Sequence, residues 1–309
     1  MSLQSIINKK VSCGGANADT GKLGCQIEWG TPLHVIGMTK GFEIPKETVF
    51  NKAFIDSQVQ LGKMIPLIGA ESFEDLSSED AVTTNSRGVD RLNTLGLPKY
   101  KFTYEEGHNF YKEMYNLTSF KALDFIFGDE EGNWRMAITS DGNYKGFTAG
   151  QAIAMLTTTK TLGGDPESKA FSIQLLDRIQ WDKNYGFALR EQLDFSPEEV
   201  GGVNGVDISF DAIPANDATT VSFSVVLTAD GLTPVEGLLD SDLKYTADGV
   251  VGAMSVVENS PGKYTGTVTA VVTGQVIGLA TYNTPTLTTV ILNEGVLYDG
   301  KLVEETAVA

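Results

Sequence analysis

The stretch Gly15-Ala16-Asn17-Ala18-Asp19-Thr20-Gly21-Lys22-Leu23 comes nearest to a nucleotide-binding motif. A phosphate loop needs two glycines four residues apart, then Lys and a hydroxyl residue that reaches Mg²⁺. Here five residues separate the glycines, and Leu23 stands where the hydroxyl is needed. No strongly apolar strand precedes it. The segment is read as part of a polar arm and not as a phosphate cradle.

Other chemistry-bearing residues are sparse. The two histidines, His34 and His108, are too few for a His-rich metal site. Neither belongs to a visible nucleophile–base arrangement, and no serine sits in a G-x-S-x-G elbow. Glu71, Glu74, Asp75, Glu79 and Asp80 form one acidic cluster, and Asp129, Glu130 and Glu131 another. Neither follows the D-x-[DN]-x-[DN]-G pattern of a Ca²⁺ loop, and both are read as solvated loops, the second as a hairpin tip. Trp134 and Trp181 fall in alternating apolar runs and read as core. An aromatic platform for sugars or bases needs exposed rings with convergent polar groups, and the sequence singles none out. No catalytic residue, metal site or cofactor is therefore expected, and the expectation is a protein that is not an enzyme.

Bulk properties narrow the partners. The 309-residue chain has a formal net charge of −17, which disfavours gripping a phosphate backbone. From Glu191 onward there are 17 acidic and three basic residues, a net of −14, leaving only −3 for the rest. That asymmetry argues for two units with different surfaces. Cys13 and Cys25 match no CxxC spacing and read as free thiols of a protein folded in a reducing cytoplasm. No apolar run approaches the length of a membrane span, and Met1–Lys10 lacks the apolar centre of a secretory signal.

These residues must be held by elements with their own signals. Residues 1–24 are rich in Gly, Asn and Ser and read as an extended arm. Gly21–Met38 reads as a strand pair broken at Gly30-Thr31-Pro32. The segment 37–69 mixes Phe42, Ile44, Val49, Phe50, Phe54, Ile55, Val59, Leu61 and Ile65 with charged residues and shows no clean period. It reads as a long loop that becomes ordered against a neighbour. Tyr100, Phe102 and Tyr104 alternate along a strand after Leu97-Pro98. A helix follows over Glu105–Leu117, with Phe110, Met114 and Leu117 on one stripe. Period-two runs resume at Ala122–Phe127, at Trp134–Ile138, over Tyr144–Thr159, where Ala149–Leu156 also fits a helix, and from Phe171 through Ile179 to Trp181. A second unit, residues 201–309, is rich in Val, Thr and Gly. Its alternating runs (Val206, Ile208, Phe210; Val221, Phe223, Val225) are punctuated by Asp230-Gly231, Asp248-Gly249 and Pro261-Gly262. That spacing predicts a β-sandwich of immunoglobulin type, without the Cys…Trp…Cys core of antibody domains.

The Tyr100–Leu117 strand–helix join, the Asp124–Ile138 hairpin after it and the appended unit from about Val203 together resemble the tail tube (major tail) proteins of long-tailed bacteriophages. The resemblance spans most of the chain and rests on architecture, with no signature residue. It implies a mainly β fold: a tube-type β domain over 25–200 with one flanking helix, which closes with its copies into an inner barrel, and an Ig-like β-sandwich over 201–309. It implies a homo-oligomeric ring, expected to be a hexamer, stacked into a tube together with other virion proteins. DNA would be only a passing, non-specific cargo. The location would be the virion, assembled in the host cytoplasm, with no membrane partner. The arm and the 37–69 loop would bridge subunits, making Phe42, Ile44, Val49, Phe50, Phe54, Ile55, Val59 and Leu61 the self-assembly candidates. Another virion component (neck, ring or head-associated) and an Ig-like surface-binding or adhesin module are the alternatives.

Overall fold

A computed structural model describes residues 2–3, 29–120, 123–150, 152–154 and 167–309. Cys13, Cys25, the phosphate-loop-like stretch and most of the 1–24 arm lie outside the described residues. The fold is mainly β, and the chain divides into two compact units, one of residues 1–58 and 62–200 and the other of residues 201–309 together with Val59–Leu61.

The first unit runs through β1 (Pro32–Thr39), β2 (Glu43–Ile44), α1 (Lys52–Gln60), β3 (Met64–Leu67), β4 (Ser72–Asp75), β5 (Ala81–Thr84), β6 (Asp90–Thr94) and β7 (Lys99–Tyr104). It continues through α2 (His108–Phe120), β8 (Leu123–Asp129), β9 (Trp134–Ile138), β10 (Tyr144–Lys145), β11 (Ile153–Ala154), β12 (Lys169–Gln174), α3 (Arg178–Asp182) and β13 (Tyr185–Ala188). One sheet has the order β2-β10-β9-β8-β1-β3, with β13 also paired to β9; the other has the order β11-β12-β7-β4. The two inner faces share one core. Val35, Phe125 and Phe127 come from the first sheet, and Tyr100, Phe102, Phe171 and Ile173 from the second. Phe102 stacks on Phe127 with ring centroids 6.1 Å apart. Burying rings of this size supplies most of the stabilisation in such a layer.

The alternation of Tyr100, Phe102 and Tyr104 follows from this packing: their rings face the core, and Lys99, Lys101 and Thr103 between them are half-exposed. Strand β8 is buried along its whole length. Leu123, Phe125 and Phe127 belong to the shared core, while Ile126 on the opposite face is buried as well, like Ile36, Met38 and Met136 of neighbouring strands.

Several expectations need correcting. The segment 37–69 is no long loop. It completes β1, forms β2 and β3, and carries α1 between them. Asn51 starts that helix by accepting a 2.9 Å hydrogen bond from the Phe54 amide; Lys52 and Asp56 pair at i, i+4 at 2.6 Å. Gly62, at φ 65°, terminates the turn after it. The run through Ile179 and Trp181 is no strand beyond Leu175, because Asp177 accepts from the amides of Ile179 and Gln180 and caps α3. Helix α2 begins at His108, so Glu105 and Glu106 precede it. Its stripe packs as expected, with Tyr111 and Met114 fully buried and Phe110 and Leu117 against the same core. Of Tyr144–Thr159, strand appears at β10 and β11, and residues 155–159 lie outside the described residues.

The second unit contains β14 (Val203–Phe210), β15 (Thr220–Leu227), β16 (Leu243–Ala247), β17 (Val250–Gly252), β18 (Ser255–Ser260), β19 (Lys263–Thr267), β20 (Val276–Thr281), β21 (Val290–Asn293), β22 (Val296–Gly300) and β23 (Val303–Thr306). They form a six-stranded sheet, β18-β19-β15-β14-β22-β21, and a four-stranded sheet, β17-β16-β20-β23. All pairs are antiparallel except β14 with β22. Val206, Ile208, Val221, Phe223, Val225 and Tyr264 of one sheet meet Leu243, Tyr245, Ile277 and Leu279 of the other, the β-sandwich that the spacing predicts. Tyr264 stacks on Phe223 at 5.5 Å and donates to the Val235 carbonyl at 2.7 Å.

Candidate functional site

Two surfaces of the first unit stand out, a bare hairpin and an aromatic pocket. The hairpin is β5–β6. Val82 pairs with Leu92, Thr83 with Arg91 and Thr84 with Asp90. Its turn is built on Asn85, whose Oδ1 accepts from the amides of Arg87 (2.9 Å) and Val89 (3.0 Å), and Gly88 takes φ 74°. Every residue of both strands is exposed. Val82 and Leu92 share a face and are 52% and 55% exposed, and Val89 near the turn is 55% exposed. No third described strand pairs with this ribbon.

The root of the hairpin is tightly fastened. Asp80 accepts from the Gly96 amide at 2.8 Å and pairs with Arg178, which also holds Asp182 at 2.8 Å. The Gly96 bond, and then Arg178, hold the Asp80 carboxyl below its usual pKa. Ser77 and Ser78 accept from the amides of Lys99 and Leu97. A Cβ on Gly96 would lie 1.8 Å from the Ser78 carbonyl oxygen, so only glycine fits there. The acidic cluster 71–80 thus contains an anchor: Glu74 pairs with Lys101 at 2.8 Å and Asp80 with Arg178.

The self-assembly candidates fall elsewhere. Ile44, Phe50, Ile55 and Val59 are buried within their own chain, Phe50 edge-on to Phe195 at 5.8 Å. Phe42 and Phe54 are half-buried; Val49 and Leu61 are exposed. The structure therefore buries four of these eight residues, half-buries Phe42 and Phe54, and leaves Val49 and Leu61 exposed. The hairpin was legible as Val82-Thr83-Thr84 and Val89…Leu92 flanking Asn85-Ser86-Arg87-Gly88, a strand–turn–strand signal.

The pocket, of about 500 Å³, opens at one end of the first unit's sandwich. Trp29, Gly30, Thr31 and Pro32 line it with Phe73 and Asp75 of β4, Tyr100 of β7, Glu130, Arg135 of β9 and Trp181 of α3. Its entry strand is pinned by Asp129. That carboxylate is fully buried, accepting from the amides of Gly30 (3.1 Å), Glu131 (3.1 Å) and Asn133 (2.8 Å) and from Asn133 Nδ2 (2.9 Å). The 129–131 cluster is thus no solvated tip throughout, since Asp129 is the clamp that closes it.

Arg135 lies in the pocket's floor and is 9% exposed. Its guanidinium stacks on Trp181 at 3.7 Å and Tyr185 at 4.2 Å, with Trp29, Phe147 and Phe187 farther out. It donates to the Trp181 carbonyl, and its Nε has no partner among the described residues. Burial lowers its pKa, partly offset by Tyr185, Tyr100 and Asp182; burial likewise pushes the Tyr100 hydroxyl well up.

The histidines are structural in their contacts. His34 is buried in β1; its Nδ1 accepts from the Gly69 amide at 3.1 Å and its Nε2 lies 4.0 Å from Glu198. Burial lowers its pKa and outweighs the upward pull of Glu198 and Asp129. His108 is exposed at the start of α2, 3.2 Å from Glu167. Among the described residues no group of three or more His, Cys, Asp and Glu converges as a metal site, and no helix is long and apolar enough to cross a membrane.

No protein-family model and no curated protein matches the chain. A solved structure titled as a polysaccharide lyase aligns with 91% of this chain and 40% of its own, at 8% identity and a TM-score of 0.19. The chain therefore spans less than half the length of that protein, and a score so low carries no likeness of fold or activity.

Proposed function

We propose that the protein is a non-catalytic structural subunit that joins copies of itself through the β5–β6 hairpin. In the fuller reading it is the tail tube subunit of a bacteriophage. Copies close into a stacked ring, expected to be a hexamer, with other virion proteins at its ends and DNA passing through without sequence recognition. The location is then the virion, after assembly in the host cytoplasm. One observation carries the reading: a ribbon fixed at its root by Asp80, Arg178 and Gly96 exposes every strand residue beyond it. An isolated two-stranded ribbon is marginally stable in water, and three or more strands or a packed face are needed to hold one. An unpaired edge with apolar side chains is also an aggregation hazard that a closed ring removes. The excess negative charge does not add to the tube reading, since −14 of the −17 lies from Glu191 onward and only −3 on the part that would line a tube.

The test is sedimentation velocity with negative-stain electron microscopy on the full chain over a range of concentrations. Rings or tubes are expected. A monomer at every concentration, including after addition of preformed assembly as seed, overturns the reading.

A further inference from the structure

The groups lining the pocket of the first unit restrict what can occupy it. Arg135 is a cation nine-tenths buried, with no carboxylate among the described residues at salt-bridge distance. Its stacking on Trp181 and its bond to the Trp181 carbonyl account for its position but leave Nε unpaired. Nε has no exposed surface, so what Arg135 offers a ligand is the positive charge of a guanidinium in the pocket lining. The rim carries Asp75 and Glu130. A strongly anionic ligand such as a phosphate would meet these carboxylates, and a cationic one would meet Arg135. A neutral ligand rich in hydroxyls avoids both penalties, since carboxylates accept from hydroxyls and a guanidinium donates to them.

The remaining walls fit the same chemistry. Trp29, Phe73 and Trp181 are half-buried and present partly exposed rings to the cavity. A pyranose has one face of C–H groups that packs on an aromatic ring and an equatorial belt of hydroxyls. A volume of about 500 Å³ lies inside the range of small-molecule sites, roughly 300–1,000 Å³. We propose that this pocket binds a neutral pyranose unit of a glycan, with Trp29 as the stacking platform, Asp75 and Glu130 as hydroxyl acceptors and the Arg135 guanidinium as the positive group of the lining. The proposal is independent of the assembly reading, because the hairpin contributes no residue to the pocket.

The experiment is a microarray of neutral and uronic-acid saccharides probed with the full-length protein. Isothermal titration with the strongest neutral disaccharide follows. Binding of a neutral saccharide is expected, weakened about tenfold or more by Trp29→Ala, the loss of one aromatic face. Trp29→Phe should retain most of it. Asp75→Asn and Glu130→Gln should each weaken it, with thermal unfolding of these two and of Trp29→Phe near the wild type, whereas Trp29→Ala also loses its packing on Phe187 and should melt lower. Hairpin variants should bind as wild type does. No neutral saccharide bound on the array, a preference for uronic acids, or binding unchanged by both Trp29→Ala and Asp75→Asn would each overturn the proposal.

Discussion

Replacing Val82 and Leu92 together by serine should disable assembly and leave the subunit intact. The two side chains pair across the hairpin and are 52% and 55% exposed, so each has about half its surface left to bury. Full burial of Val or Leu is worth roughly 1.5–3 kcal/mol, so the exposed half corresponds to about 1 kcal/mol each, or about 2 kcal/mol per hairpin. A loss of ~2 kcal/mol weakens each subunit contact about 30-fold. Rings multiply that loss, since each copy would both give and receive a hairpin. Within the monomer the same substitutions remove only the contact the two side chains make with each other, a cross-strand pair worth roughly 0.2–1 kcal/mol, so its thermal midpoint should move by no more than a few degrees. Sedimentation velocity on matched concentrations of wild type and variant reads the first quantity, and a melting curve reads the second. Unchanged assembly with unchanged melting would refute the argument that the exposed ribbon is the joint. A large fall in the melting temperature would show instead that these side chains pack within their own chain.

Three further outcomes follow from the geometry. Phe50→Ala should cost about 3–5 kcal/mol of stability in a denaturant titration, because the ring is buried against Phe195, whereas Val49→Ser beside it should be nearly neutral. Gly96→Ala should spring the hairpin root, since its Cβ would overlap the Ser78 carbonyl; limited proteolysis should then cut within residues 77–96 far faster while the second unit resists. His34 has a folded pKa below its ordinary 6.5, so the unfolded chain binds the extra proton as pH falls through 6.5. Stability should therefore drop below that pH by up to about 1.4 kcal/mol per unit, the steepest slope one proton allows. His34→Asn, which keeps an acceptor for the Gly69 amide, should flatten that slope; an unchanged slope would assign the acid sensitivity to other groups.

The parts of the fold most visible in the sequence were those in which one face is wet. Tyr100, Phe102 and Tyr104 alternate because Lys99, Lys101 and Thr103 are more exposed than they are, and β15 alternates for the same reason. Strands β8 and β9 were read from the runs Ala122–Phe127 and Trp134–Ile138 although both are buried almost throughout, but β1 carried a weaker signal. The eight residues of β1 include a run of five buried positions, His34 through Met38 being interrupted nowhere by an exposed one. Helix α1 was hidden by length: nine residues give one i, i+4 apolar pair, Ile55 and Val59, and its start is marked only by the Asn51 cap. Trp181 kept period two with Ile179 by coincidence, and the Asp177 cap, readable as Asp followed by a helical turn, was the stronger signal. The pocket was not legible, because its walls come from residues 29, 75, 100, 130, 135 and 181 and only the folded sheets bring them to one end.

The two segments considered as joints show why missing periodicity is a poor guide to partners. Residues 37–69 contain apolar side chains without a simple period because they pass through four elements, and each piece satisfies its own burial: Met38 in β1, Ile44 in β2, Ile55 and Val59 in α1, Met64 in β3. Deleting Lys46–Gly62 would remove Phe50 and Ile55 from the core, so a variant that failed to assemble would say nothing about a joint. The hairpin is the opposite case. Its strands have clean β-branched and turn chemistry, yet none of its residues is buried, because no described strand or helix covers either face. A two-stranded ribbon with both faces exposed is marginally stable by itself, and a covering surface would stabilise it. The experiment that separates the two segments is therefore substitution of exposed side chains, which alters what the subunit offers without altering what holds it together.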